Sequence, residues 1–205
     1  MAPRLVSNTD LLDRLGLLFR TRGYDGSSLG DIAAATGLQK SSLYHRFPRG
    51  KQQMASEVAG TVGTHFAEDV LAPLSGPGTP HERLMQVADR LDEFYAGGRR
   101  SCLLDTLSIS DPGNAATSGL GLAAEGWIAA FAGIARAEGT GRAEARRRAE
   151  DAVAAIEGAL VLARVTGNVA PFTRSLQRLP SFLLGPPLPV PAPSRPAPSR
   201  KKTSP

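Results

Sequence analysis

The sequence predicts an all-α fold, and three observations support this. Apolar residues recur at three- or four-residue spacing along most of the 205 residues, as on a helix with one buried face. No alternating run of apolar and polar residues long enough for a β-strand interrupts that pattern. Segments rich in glycine and proline, such as PLSGPGTP at 73–80, separate the periodic stretches and predict turns between helices.

The N-terminal quarter predicts three helices in close succession. The first carries an apolar face, the second is LGDIAAAT (29–36), and the third lies in GLQKSSLYHRF (37–47). Polar residues that cap helices and glycines that end them mark the boundaries. The expected caps are Thr9 and Asp10 for the first helix and Ser28 for the second, and the expected ends are Gly23 and Gly37.

The rest of the chain predicts longer helices. Apolar residues at four-residue steps predict a fourth helix as far as Val70. Further helical patterns cover 81–95, 102–109, 120–137 and 142–166, with one or two short helices in 171–184. Between them, DPGNAATSG (111–119) is predicted to be a loop. The stripe on the fourth helix is Met54, Val58, Val62, Phe66 and Val70.

Composition and charge limit the class of protein. Hydrophobic residues make up 41%, enough for a sizeable core, and the one cysteine, Cys102, excludes an internal disulfide framework. No stretch approaches the ~20 unbroken apolar residues of a membrane helix. MAPRLVSNTD at the start lacks the apolar region of a secretory signal, so we expect a cytoplasmic protein without membrane contact.

The charge distribution suggests three regions. Residues 1–60 carry +3, 61–184 carry −2, and the tail from Gly185 carries +4, so both ends could meet an anionic partner. The tail, GPPLPVPAPSRPAPSRKKTSP, is so rich in proline that we expect it to be disordered. We therefore predict a helix-turn-helix domain at 5–65, a larger helical domain at 66–184 and a basic, disordered tail at 185–205.

The third predicted helix combines core anchors with reaching polar side chains. Leu43 and Phe47 would face Ile32 and Ala33 across the glycine turn, which makes a helix-turn-helix. The opposite face would then present donors for base edges and cations for phosphates, and no acidic residue lies between Leu38 and Lys51. The alternative is a plain solvated helix on a basic protein.

The order G-Y-x-x-S-S-L-x-D-I-A-A-x-x-G-L-x-K-x-S-L-Y-H-x-F-P-x-G-K, from Gly23 to Lys51, resembles the N-terminal domain of TetR/AcrR-type transcriptional regulators. Its F-P-x-G-K ending is similar to the LmrA/YxaF-like branch. The resemblance implies double-stranded DNA with a near-palindromic operator as partner. It also implies a homodimer and a small-molecule effector bound among the C-terminal helices.

The resemblance also assigns DNA contacts. Tyr44, His45, Lys51 and Ser28 fall at positions that meet phosphates in the family, with His45 also able to meet a base. Position 39 is often Ser or Thr in the family, whereas Gln39 caps a helix poorly, so either the helix frays or Gln39 reads an adenine. The base-reading positions are Gln39, Lys40 and Ser42, and Ser41 between them is a further expected DNA contact.

The C-terminal half carries aromatic residues that could line an apolar cavity, although ordinary core packing is the alternative for each. The helix with AVAAIEGALVLA, together with the Trp127 helix, could build a four-helix dimer interface through Ala152, Ala155 and Ala159. The candidate ligand contacts are Phe66, Phe94, Tyr95, Cys102, Trp127 and Phe131.

These observations predict a sequence-specific DNA-binding regulator, a repressor released from its operator by a small apolar ligand. Two alternatives remain open: a redox-responsive regulator in which Arg99 and Arg100 lower the thiol pKa of Cys102, or a nonspecific DNA-binding protein without an effector. No arrangement typical of an enzyme, metal site or phosphate-binding loop is recognisable around His45, His65 or His81, so we expect no catalysis, metal or cofactor.

Overall fold

The protein is an all-α molecule, as predicted. A computed structural model describes residues 6–109 and 114–185, and within these ranges the chain forms helices and no β-strand. Residues 1–5, 110–113 and 186–205 lie outside the described ranges, so the predicted tail at 185–205 is described only at Gly185. The α-helices are α1 (Asn8–Arg22), α2 (Leu29–Thr36), α3 (Lys40–Arg46), α4 (Lys51–His65), α5 (Pro80–Phe94), α6 (Leu103–Ser108), α7 (Asn114–Ala137), α8 (Arg142–Thr166), α9 (Ala170–Gln177) and α10 (Leu179–Leu184).

Capping side chains set several of the helix starts in the described ranges. Ser7, not Thr9 or Asp10, caps α1, because its extended backbone lets the hydroxyl accept the N–H of Asp10 at 3.0 Å. The prediction for this cap was therefore wrong. At α5, Thr79 and Glu82 form a reciprocal capping box that the sequence analysis did not identify.

The predicted fourth helix changes geometry before its expected end. Regular α4 stops at His65, a π-helical turn covers Phe66–Val70, and a 3₁₀ turn covers Ala72–Ser75. The π turn inserts an extra residue and so rotates the side chains that follow it. Phe66, the first residue of this turn, packs edge-on against the rings of Phe94 and Trp127, at 5.2 and 4.8 Å between ring centroids.

Helix α7 begins earlier than predicted. The segment expected to be a loop is already helical at Asn114, because its alanines favour helix and its strongest breakers, Pro112 and Gly113, precede that point. Within it, Gly119–Ala137 has a mean hydropathy of 1.2 and is long and apolar enough to cross a membrane by length and composition alone. Here it packs against α4 and α8 as a helix of the bundle.

Two apolar cores hold the bundle together. The first joins α1 to α4 and includes Leu15, Ile32 and Phe47. It also takes in Leu103 and Leu107 of α6, so the C-terminal half of the chain closes the N-terminal core. The second core lies among α5, α7, α8, α9 and α10. Helix α4 touches both α1 and α7 and therefore connects the two cores.

The predicted dimer face of α8 lies largely inside the protomer. Ala152 and Ala159, which were expected at an interface, are buried in the second core together with Ile156. The heptad-like spacing of small residues is equally compatible with packing inside one chain, as Ala152 and Ala159 show. Ala155 is partly exposed, so a role of α8 in a dimer stays a prediction. The exposed face of α8 instead carries Leu162 and Val165.

Candidate nucleic-acid interface and effector cavity

The angle between α2 and α3 is fixed by a small, fully buried contact. Ile32, Leu43 and Phe47 are all inaccessible to solvent. Gly37 ends α2 in the left-handed conformation with φ +74°, which a residue with a Cβ adopts only under strain. The guanidinium of Arg14 donates to the carbonyl of Thr36 at 3.1 Å and ties α1 to this turn. Helix α3 is therefore held from its inner side.

The outer side of α3 presents the residues expected to read bases. Lys40, Ser41 and Ser42 are all exposed, and so are Gln39 and His45. Gln39 occupies the N-cap position without a side-chain hydrogen bond to the helix, as expected for a glutamine there. Its amide is thus not engaged in capping. Contacts of these residues with DNA stay a prediction.

Tyr44 lies where α3 meets the start of α4. Its side chain is 49% exposed, and one ring carbon lies 3.9 Å from the point where a Cβ on Gly50 would stand. Gly50 precedes α4 without any capping side chain. Because the first N–H groups of a helix are free and carry partial positive charge, the Tyr44 hydroxyl and the start of α4 together suit a phosphate.

Lys51 has an internal role that the sequence did not reveal. Its ammonium donates to the carbonyls of Tyr24 at 2.9 Å and Ser27 at 3.2 Å, and lies 4.2 Å from the centroid of the Tyr24 ring. These contacts join the start of α4 to the turn between α1 and α2. An ammonium has three N–H donors, so one remains for the predicted phosphate contact.

Lys51→Ala is expected to weaken binding to every duplex alike and to lower the slope of log affinity against log salt by about one unit. It should also destabilise the fold by about 1–3 kcal/mol, because hydrogen bonds of a charged group are lost. Fluorescence anisotropy at several salt concentrations measures the first effect and thermal unfolding the second. The exposed Arg136→Ala is the control, and an unchanged salt slope in Lys51→Ala would contradict the phosphate contact.

Ser28 caps α2, as predicted, and is thereby occupied. Its hydroxyl accepts the N–H of Asp31 and donates to the Asp31 carboxylate at 2.6 Å. These hydrogen bonds to Ser28, with the nearby Arg22 guanidinium, lower the pKa of Asp31. The predicted phosphate contact of Ser28 therefore requires its hydroxyl to turn away from Asp31.

Arg46, one of the four cations between Leu38 and Lys51, is used inside the domain. Its guanidinium pairs with Glu57 at 2.7 Å, bonds to Asn8 at 2.7 Å, and stacks 4.6 Å from the Phe47 ring centroid. Arg49, in contrast, is exposed beside the start of α4. The sequence analysis did not single out Arg49, although its position next to Gly50 was a usable signal for a phosphate contact.

A cavity of about 1050 Å³ lies between α4 and α7 and extends to α5 and α6. Part of the cavity wall is formed by glycines, which have no side chain to occupy the space. These are Gly60, Gly63, Gly126 and Gly133. Five of the six predicted ligand contacts line its wall, and Phe131 does not. Phe131 lies behind Trp127, with the ring centroids 5.9 Å apart. The five are Phe66, Phe94, Tyr95, Cys102 and Trp127.

Two arginines that the sequence analysis did not connect with the cavity line its wall. Arg20 projects from α1, donates to the carbonyl of Ser101 at 2.5 Å, and lies 5.4 Å from the Phe94 ring centroid. Arg83 of α5 donates to the carbonyl of Leu74 at 2.9 Å. The N-terminal domain thus contributes a charged group to the cavity.

A buried polar cluster lies beside Arg20. The Tyr95 hydroxyl donates to the Cys102 sulfur at 3.3 Å. Burial and the nearby Glu157 raise the pKa of the Cys102 thiol to about 12, so Arg99 and Arg100 do not activate it as expected. Burial likewise raises the pKa of Glu157 to about 7. The thiol is therefore protonated at neutral pH and poorly reactive.

No group of three or more His, Cys, Asp or Glu side chains placed to hold a metal ion occurs in residues 6–109 and 114–185.

A helix-turn-helix joined to a larger helical domain is an architecture of DNA-binding transcriptional regulators. Residues 17–58 match the family described as bacterial regulatory proteins of the tetR family. Residues 99–177 match the transcriptional regulator LmrA/YxaF-like C-terminal domain. The chain belongs to the TetR family, which consists of regulators rather than enzymes.

Individual relatives agree with this assignment. The chain is 32% identical over 80 residues to the uncharacterised HTH-type transcriptional regulator YxaF and 33% identical over 64 residues to the HTH-type transcriptional regulator LmrA, both of Bacillus subtilis (strain 168). These matches span 38% and 31% of this chain, and only 42% and 34% of the two relatives. A TetR transcriptional regulator from Legionella pneumophila shares the fold, with a TM-score of 0.77 at 20% identity over 88% of this chain and 100% of that one.

Proposed function

We propose that this protein is a cytoplasmic, homodimeric repressor that binds a near-palindromic operator and leaves it when a small ligand occupies the cavity. The observation that carries this is the face of α3, where the polar side chains are exposed and acidic ones are absent while Leu43 and Phe47 hold the helix from behind. No catalytic step is part of the proposal.

Sequence reading and positioning fall to different residues. Gln39, Lys40 and Ser42 would contact base edges in the major groove, where each base pair shows a distinct pattern of donors and acceptors. Tyr44 and Lys51 would hold phosphates and so set the register of α3 in the groove. Arg49 belongs with the phosphate-binding group because it is exposed next to the start of α4.

Dimerisation would use the exposed face of α8 and the adjoining α9. Leu162 and Val165 are 52% and 75% exposed there, and Gly158 offers a flat patch for close approach of a second helix. Exposed apolar residues along one face of a long helix favour a helix–helix interface across a two-fold axis. Two copies would then place their recognition helices in successive major grooves, ~34–36 Å apart.

Leu162→Glu is expected to convert the dimer into a monomer, because burying a carboxylate at an apolar two-fold contact places two like charges against each other. Light scattering after size-exclusion chromatography measures the mass directly. Leu17→Glu, at an equally exposed leucine of α1, should leave the dimer intact. A monomeric wild type, or a dimeric Leu162→Glu protein, would count against this interface.

Helix α4 offers a direct route from the cavity to DNA. Gly60 and Gly63, near its C-terminal end, line the cavity, while Lys51 at its N-terminal end lies beside Tyr44 and Gly50. A ligand that displaces α4 from α7 would therefore move the phosphate contacts. The ligand can change the free energy of DNA binding by at most the difference between its binding free energies for the two positions of α4.

Selection from a pool of random duplexes tests the proposal. The wild-type protein should enrich a near-palindrome with half-site centres one helical turn, about 10–10.5 base pairs, or a multiple of it apart. Failure to enrich any sequence would instead support a nonspecific DNA-binding protein. The redox alternative loses support from the buried, protonated thiol of Cys102, and loss of DNA binding on oxidation of a Cys102→Ser variant would remove it.

A further inference from the structure

The cavity wall carries the positive charge of two arginines. Glu157, an acidic residue with a buried carboxyl near Arg20, makes no ion pair with it, and burial raises the pKa of that carboxyl to about 7. Among the residues that the structure describes, Arg20 and Arg83 are the only charged ones that line the cavity, and no described aspartate or glutamate lies in its wall. Neither arginine takes part in any ion pair among residues 6–109 and 114–185. A charge that is partly removed from water is normally paired, so Arg20, without an ion pair in a mostly apolar cavity, indicates a missing counter-charge.

Arg20 is well placed to receive that counter-charge. Burial lowers the pKa of its guanidinium, which means that its environment penalises the cation. Among the described residues, the Arg20 guanidinium donates one hydrogen bond, to the carbonyl of Ser101. A guanidinium has five N–H donors in a fork that fits an anion, so most of its donors remain available.

Two further donors are buried without an acceptor. The indole N–H of Trp127 and the Nε–H of Arg83 have no hydrogen-bond partner, and both residues line the cavity. Trp127 is only 2% exposed, so water does not satisfy its N–H from outside the molecule. An unsatisfied buried donor destabilises the protein, and a ligand that brings acceptor atoms satisfies it once the side chain turns toward the cavity.

We propose that the effector is an apolar organic anion: an aliphatic or aromatic body with one carboxylate, sulfonate or phosphate group, which Arg20 binds. Its body packs against the wall formed by Phe66, Phe94 and Trp127, and the Arg83 guanidinium donates hydrogen bonds to further oxygen atoms of the anionic group. This inference rests on the proposed effector role of the cavity. It adds that the ligand touches α1, and therefore the DNA-binding domain, directly through Arg20.

A matched pair of dyes tests the preference for an anion. 8-Anilinonaphthalene-1-sulfonate and N-phenyl-1-naphthylamine share one apolar skeleton, and only the first carries a sulfonate. The chain has a single tryptophan, so energy transfer from Trp127 to the dye reports occupation of the cavity. The wild type should bind the sulfonate at least about tenfold more tightly than the neutral dye, as expected for a charge-assisted hydrogen bond.

Substitutions of the arginines test which side chain causes the tighter binding of the sulfonate dye. Arg20→Met should lose most of it while binding the neutral dye as before, and Arg83→Met should lose a smaller part. Arg136→Met, at an exposed arginine of α7 that does not line the cavity, is the control and should behave as the wild type. Circular dichroism checks that each variant is folded, and Arg20→Lys, which keeps the charge, should retain part of the preference.

Equal affinity of the wild type for the two dyes, or a preference that survives both substitutions, would overturn the inference. If neither dye shows energy transfer from Trp127, the inference is overturned as well. The assay contains no DNA, so its outcome is separate from that of the operator selection. A protein that binds no specific duplex but prefers the sulfonate would refute the proposed repressor and leave the ligand class standing.

Discussion

Phe47→Ala is expected to destabilise the protein by about 3–5 kcal/mol, because a fully buried aromatic is replaced by a cavity. Phe47 is inaccessible to solvent and packs in the core that joins α1 to α4. It also carries the stacked guanidinium of Arg46, which pairs with Glu57 of α4. Its loss should therefore remove the support of α3 and abolish DNA binding with it.

Tyr44→Ala is the matched comparison, three residues earlier. Tyr44 is an aromatic residue of the same helix but half exposed, so its removal should change stability by less than about 1 kcal/mol. DNA affinity should nevertheless fall, because a phosphate contact is lost. Urea unfolding and fluorescence anisotropy on both variants separate the two effects. Equal destabilisation by the two changes would contradict the orientation of α3.

Glu157→Gln is expected to make the protein more stable at pH 8 while changing it little at pH 4.5. The folded pKa of Glu157, about 7, lies above its ordinary value of 4.5, chiefly because the carboxyl is buried. Between these two values the folded state binds more protons than the unfolded state, so stability falls as the pH rises. Above about pH 7 this loss is complete and amounts to at most about 3 kcal/mol. Glutamine cannot ionise and avoids it.

Urea unfolding at pH 4.5, 6 and 8 measures this difference. The gain of Glu157→Gln over the wild type should grow across this range and then level off. Glu125→Gln is the control, because Glu125 is exposed and its hydrogen bond to Arg146 lowers its pKa. A wild type and a Glu157→Gln variant with the same pH dependence would show that the Glu157 carboxyl is not held protonated beside Cys102 and Arg20.

The sequence pattern was sufficient to predict the bounds of those helices whose ends are set by neighbouring residues. Ser28 and Gly37 bound α2 as predicted, because capping and left-handed glycine are properties of neighbouring residues. The 25-residue helix Arg142–Thr166 also has its predicted bounds. The π turn at Phe66–Val70 was not predictable in this way, since its apolar spacing matches that of a continuous helix.

Residue roles that depend on distant contacts were beyond the sequence. Lys51 bonds to carbonyls 24 and 27 positions earlier, and Arg20 donates to a carbonyl 81 positions later. No local pattern distinguishes such a cation from a solvated one. The sequence contains one indication of the cavity that the sequence analysis did not use. Glycine is unfavourable inside a helix, and yet Gly60, Gly63 and Gly126 lie within helices and line the cavity. In the structure they leave open space in the wall of the cavity.

The most direct test of the central claim, that the outer face of α3 reads DNA sequence, is parallel selection of duplexes by the wild type and Lys40→Ala. Both proteins should enrich half-sites with the same spacing and symmetry. The variant should tolerate other bases at one symmetric pair of positions, where about 1–3 kcal/mol of discrimination is lost. Identical enriched sequences, bound with identical affinities, would contradict the claim.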